Sequence, residues 1–290
     1  MLGKLLKYDF KSVWRIWWIV AVSVFGLSFV GAFALRFFLT QVMSTEVNDE
    51  FAFVSILAMF VLIICVFAIV ASVLLTEILV YWRFYKHFFT DEGYLTFTLP
   101  VSRKNLLLSK TINALIWMGL QALLLVACVM VFMLFAPPSL PGEPFINLFA
   151  FRSVGQAIVS LAKGIGVGWL ILYVLAGLLI LIAVLVFSTS LVHFCITVGS
   201  VIAKKAKLLA AIGVYYAVNM ILSFVLQFFG TLFLTMMTGR FFALLETLPM
   251  GTQQFAILLV LLIFGAMAAT LASIMYFLTL GNLERRLNLA

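Results

Sequence analysis

The chemistry of this sequence is concentrated in one stretch. Residues 90–110, TDEGYLTFTLPVSRKNLLLSK, set Asp91, Glu92, Gly93, Pro100, Arg103, Lys104 and Lys110 between two long apolar runs. Tyr94, Leu95, Phe97 and Leu99 stand among these polar groups, and an exposed apolar patch rimmed by polar residues marks a binding surface. Just upstream, YWRFYKHFF (81–89) interleaves aromatic residues with Arg83, Lys86 and His87. That is the pattern of a short helix leaving a membrane and lying on its surface. Asp91, Glu92 and Gly93 are expected to turn the chain, and Pro100 to hold an extended approach to the next run.

Elsewhere the candidates are sparse. Glu77 is an acid inside an apolar run, and such a residue is a functional candidate by default. Its place near the end of its run predicts a structural or coupling role, reaching headgroups or pairing with a loop cation, rather than ion translocation. Uncharged polar residues recur at helical spacing: Ser190, His193, Thr197 and Ser200; Asn113 and Gln121; and Asn219, Ser223, Gln227, Thr231 and Thr235, beside Gly230. Such stripes glue helices together or line a path for amphiphilic cargo. Glue is the better reading for the first two sets. For Asn219, Ser223, Gln227 and Thr231, a translocation path and a dimer interface both stand.

Other chemistries are not written here. Cys65, Cys128 and Cys195 each lie inside an apolar run, as buried free thiols rather than a disulfide framework or zinc site. His87 and His193 sit in different segments, and no set of residues has metal-ligand spacing. There is no GxxxxGK[ST] phosphate loop, no HExxH and no GxSxG. GIGVGW (164–169) opens an apolar run and reads as a small-xxx-small packing contact through Gly164 and Gly168. The chain is expected to be no enzyme, with no metal and no cofactor of its own.

The elements that position these residues follow from hydropathy. Of 290 residues, 66% are hydrophobic and 10% charged, with a mean hydropathy of +1.27. A soluble domain carries about a quarter charged residues. Apolar runs of about 18 or more residues are transmembrane helices, expected near 16–38, 52–81, 106–135, 166–199, 208–237 and 253–280. The fold class is thus an all-α integral membrane domain with six spans, occupying 1–290. The first run could pass for a signal peptide, since AFA at 32–34 resembles a cleavage site. It is longer than a signal core and holds Trp17 and Trp18, so it reads as an uncleaved span.

Ahead of it, Leu2, Leu6, Phe10, Val13 and Trp17 form one stripe, and Lys4, Lys7, Lys11 and Arg15 another. This is an interfacial helix over 1–15 with its lysines toward anionic headgroups of membrane lipids. Fourteen of the eighteen basic residues fall on one side of the six-span topology. By the positive-inside rule that side is cytoplasmic, with both termini. The same distribution explains the net charge of +8 without nucleic acid. Outer loops are expected at 136–163 and 238–252. APPSLPGEP (136–144) holds four of the six prolines, and residues 145–163 are suited to lie along the interface. The stretch 230–250, interrupted by Gly230, Gly239 and Pro249, is a candidate re-entrant segment.

The segment after the second span resembles the permease subunits of type-2 ABC exporters, the ABC-2-type family. That family commonly has E-x-x-G-T-L, then L-x-x-P-[VLI]-S-R, then a lysine at the third span. Here stand Glu92, Gly93, Leu95 and Thr96, then Leu99, Pro100, Val101, Ser102 and Arg103, then Lys110. Tyr94 replaces a common threonine, and the spacing to the proline is tighter. The basic elbow helix at 1–15 and the six spans extend the resemblance along the chain.

The resemblance implies a cytoplasmic coupling region at 83–105 that seats in a separate ATP-binding subunit. Arg83, Lys86, Asp91, Glu92, Gly93, Tyr94, Pro100 and Arg103 would contribute, with Lys204 and Lys205 of VIAKKAK (201–207) as a second contact. It further implies a second permease chain, identical or a paralogue, and ATP and magnesium on the partner subunit. The setting would be a bacterial plasma membrane. The cargo would be a peptide, lipid-like compound or drug. Two other readings remain open on the residues: an ion-gradient-driven carrier dependent on Glu77, and a non-transporting scaffold or immunity protein.

Overall fold

The computed structural model describes residues 2–43, 49–98, 101–137, 149–203 and 205–285. Eight helices account for nearly all of them: α1 (Leu2–Met43), α2 (Asp49–Phe89), α3 (Asp91–Thr98), α4 (Arg103–Phe135), α5 (Phe149–Ile165), α6 (Val167–Ile202), α7 (Lys207–Thr247) and α8 (Met250–Arg285). Helices α1, α2, α4, α6, α7 and α8 are long and apolar enough to cross a membrane. Their outward faces carry large apolar side chains such as Phe67, Leu179, Met220, Phe224 and Phe277, each more than half exposed. Water would penalise such a surface heavily, whereas hydrocarbon solvates it.

Several boundaries differ from expectation, for a common reason. Helical hydrogen bonding does not stop where hydropathy falls, because a helix satisfies its own backbone in either solvent. Residues 2–15 are therefore the opening turns of α1, with no interruption before the first span. Helix α7 runs through Gly230 and Gly239 to Thr247, so 230–247 is continuous helix rather than a broken segment. It ends at Thr247, and the Pro249 carbonyl accepts the N–H groups of Thr252 and Gln253 in the first turn of α8. The expected loop at 136–163 contains α5, with Val154, Ile158 and Leu161 as an exposed apolar stripe.

Between α5 and α6 the chain turns at Gly166, whose φ of 96° lies in the left-handed region that favours glycine. Gly164 and Gly168 have open space where a Cβ would be, so the small-xxx-small contact expected there is not made among the described residues. The close approach occurs at Gly199, where a Cβ would lie 2.4 Å from both N and Cα of Ala211 on α7.

The contacts divide the chain into two compact units, Gly3–Val80 with Ile116–Ser160, and Tyr81–Leu115 with Leu161–Ala290 plus Met1–Leu2. In the former, Ala32, Val131 and Ala136 form a core covered by Phe29, Leu35, Phe132 and Phe135. Trp17 and Trp117 are buried beside each other. Gln121 of α4 ties this unit together. Its Oε1 accepts from Trp17 Nε1 of α1 (3.2 Å) and Thr76 Oγ1 of α2 (3.0 Å), and its Nε2 donates to Ser72 Oγ (2.9 Å). Ser72 and Thr76 also bond back to their own helix, so removal of Gln121 chiefly orphans the Trp17 N–H. Gln121→Leu is expected to cost about 2 kcal/mol, read as a lower midpoint in denaturant unfolding from detergent.

Candidate functional site

The candidate site is the end of α2 and the short helix after it, all within the unit built from Tyr81–Leu115 and Leu161–Ala290. Helix α2 remains helical past residue 81 as far as Phe89. The turn falls at Thr90, and Asp91–Glu92–Gly93, expected to be the turn, instead open α3. Asp91 and Glu92 suit that position because acidic residues favour a helix N-terminus. The Gly93 N–H closes the corner on the Thr90 carbonyl at 2.8 Å.

Three contacts hold α3 on the end of α2. Glu92 pairs with Lys86 at 2.6 Å, both side chains about half exposed. Gly93 packs so closely that an added Cβ would lie 2.7 Å from the Phe88 carbonyl oxygen. Phe97 meets Phe88 edge-on at 5.7 Å and carries the Arg103 guanidinium 5.5 Å above its ring. Phe97 is therefore partly covered rather than displayed. Asp91 and Tyr94 stand in α3, with side chains outside the described set, and Leu99, Pro100 and Lys204 lie outside the described residues.

Helix ends converge on this corner. Arg103, at the first turn of α4, donates to the carbonyls of Leu283 and Glu284 (2.9 Å to the latter), capping the last turn of α8. Lys207, which opens α7, reaches the Phe89 carbonyl that closes α2 at 3.4 Å. Beneath them Phe88, Phe84 and His193 form a ladder into α6, with centroid distances of 5.0 Å and 4.0 Å. Tyr81 meets His193 edge-on at 6.0 Å. Arg103 is a docking candidate by sequence, yet its guanidinium serves the internal frame. His193 and Phe84 are not legible as neighbours in the sequence, since only the aromatic run at 81–89 hints at a stacking partner.

The polar stripe of α6 is buried at Ser190, His193 and Thr197, and among the described residues it makes no hydrogen bond to another helix. Thr197 and Ser200 bond back to His193 and Thr197 carbonyls, while Ser190 Oγ and both His193 ring nitrogens have no partner among the described residues. The α7 stripe is local too: Asn219 and Thr231 bond backbone carbonyls one turn earlier, and Ser223, Gln227 and Thr231 are exposed. Glu77 is exposed on α2 and has no ion pair among the described residues. Because α2 continues to Phe89, Glu77 lies about 18 Å from the helix end. Arg83 is half-buried, and Lys205 is exposed in the link between α6 and α7.

The Lys86 hydrogen bond, with the positive charges of Lys86, His87 and Arg83, holds the Glu92 carboxyl below the usual carboxylate range, partial burial opposing it. A carboxyl lowered in the folded state stabilises above its unfolded value of about 4.3 and loses that contribution as pH falls through the folded value. The pair is exposed and so contributes under about 1 kcal/mol. Hydrogen exchange of residues 91–98, corrected for intrinsic rates, is expected to be steady from pH 7 to about pH 5 and to rise below about pH 4. Glu92→Gln should flatten that rise.

The six apolar helices define a multi-pass helical membrane protein. Compared with family models, curated proteins and solved structures, the chain finds no match. Among the described residues no group of three or more His, Cys, Asp or Glu could hold a metal ion.

Proposed function

We propose that this protein is the membrane-spanning permease subunit of an ATP-driven exporter, coupled through α3 to a separate ATP-binding subunit. The observation that carries the reading is the corner at Thr90. A short helix sits there between two spans, seated by Gly93 and the Lys86–Glu92 pair, where the ends of α2, α4, α7 and α8 meet. A displacement of α3 would pass to four spans at once, as transmission of ATP-driven motion requires. Both termini and this corner are assigned to the cytoplasmic side by the basic residues they carry. A second permease chain completes the path, and uncharged stripes suit an amphiphilic cargo better than a small ion.

The test is extraction of the chain from its native membrane and identification of what co-purifies in stoichiometric amount. The reading expects a soluble subunit bearing GxxxxGK[ST], lost when residues 90–96 are replaced. Isolation without an ATPase across several detergents, with flux under an ion gradient that Glu77→Gln abolishes, would overturn it.

A further inference from the structure

A groove of about 510 Å³ opens near the N-terminus of α1, lined by Leu6, Lys7, Phe10, Lys11 and Trp14 and by Ile116 of α4. All six belong to the unit formed by Gly3–Val80 and Ile116–Ser160. Its walls are apolar and firmly backed. Phe10 stacks on the fully buried Trp117 at 4.8 Å, and Trp14 stacks on Trp18 at 5.6 Å. Lys7 and Lys11 are exposed one turn apart on one helix face, and neither has a carboxylate partner among the described residues.

An apolar trough with two uncompensated ammonium groups specifies an amphiphile with an anionic head and a hydrocarbon tail. A soluble anion would satisfy the lysines and leave the trough empty. A zwitterionic lipid would fill the trough but bring its own cation toward the lysines. A second copy of this chain, docked by the same groove about a two-fold axis, would set Lys7 and Lys11 against their own counterparts, like charge on like. We infer that the groove binds one anionic membrane phospholipid, its phosphate between Lys7 and Lys11 and an acyl chain along Phe10, Trp14 and Ile116. This is distinct from the diffuse attraction of a basic helix face for headgroups, to which Lys4 and Arg15, outside the groove, also contribute. The assignment requires only that the chain is in a membrane, and does not depend on export or on an ATPase.

The full chain is reconstituted into vesicles of equimolar phosphatidylglycerol and phosphatidylcholine, extracted gently, and weighed by native mass spectrometry. Two lysine contacts predict about a thirtyfold preference for retained phosphatidylglycerol. Lys7→Glu/Lys11→Glu should bring that preference near unity, and Lys7→Gln/Lys11→Gln serves if charge reversal blocks insertion. Ile116→Trp, which fills the trough and keeps both lysines, should abolish retention of either lipid. Equal retention of the two lipids by the unaltered chain would overturn the site. So would undiminished phosphatidylglycerol on Ile116→Trp, which is the signature of diffuse headgroup attraction. Displacement of the lipid by inorganic phosphate that still binds Ile116→Trp would assign a soluble anion instead. A dimer that Ile116→Trp dissociates would assign the groove to a second copy.

Discussion

Gly93→Ala is expected to dislodge α3 while leaving the six membrane helices in place. The new Cβ would lie 2.7 Å from the Phe88 oxygen and 3.0 Å from its carbonyl carbon. Both belong to the backbone of α2, which cannot swing aside as a side chain would. The obstruction is relieved only by lifting α3, which breaks the Lys86–Glu92 pair and parts Phe97 from Phe88 and Arg103. Overpacking of this kind costs about 1–3 kcal/mol, so hydrogen exchange of 91–98 should speed up about tenfold or more. On the proposed function, ATP-driven transport in a reconstituted complex should fall by a similar factor at unchanged expression. Unaltered exchange would show that α3 is not seated on α2 through Gly93. Altered exchange with full transport would leave the packing intact as an account and remove α3 from coupling.

Gly199→Ala is expected to give the larger loss of stability. A Cβ there would lie 2.4 Å from the Ala211 N and Cα and 2.9 Å from the Ala210 carbonyl carbon, all backbone. The two helices are joined by the short link at 203–206, where the Ala203 N–H is held on the Gly199 carbonyl at 3.1 Å. They have little slack to separate, so the cost should reach about 3 kcal/mol or more. Unfolding midpoints in detergent are the measurement. Gly164→Ala and Gly168→Ala provide the contrast, because a Cβ at either position would meet nothing within 4 Å. There the gain in helix propensity, about 1 kcal/mol, should leave stability unchanged or raised. An equal loss at Gly168 and Gly199 would refute the close approach of α6 to α7.

These glycines also show what is legible in a sequence. GIGVGW stands out by its spacing, yet its consequential residue is Gly166, through its backbone angle, and neither flanking glycine packs. Gly199 lies in an unremarkable SVI context and governs a helix contact. In the α4 pair spaced by eight, glue is the right reading for Gln121, whose partners lie on α1 and α2, while Asn113 Oδ1 is buried without a partner among the described residues. Stripe membership is visible in both cases. The partner across the interface is not.

The sequence by itself determined that this is an all-helical membrane protein with six spans, because hydropathy is a local, additive property that composition over about 20 residues already contains. It also marked 82–110 as the polar corner of the molecule. The tertiary structure decided how that corner is built: the turn at Thr90, Arg103 spent on the end of α8, Lys207 on the end of α2, and His193 stacked on Phe84. Each of these contacts joins residues far apart in the chain. Side-chain chemistry says which groups need partners, but only the packing of one helix end against another says which partner each one meets.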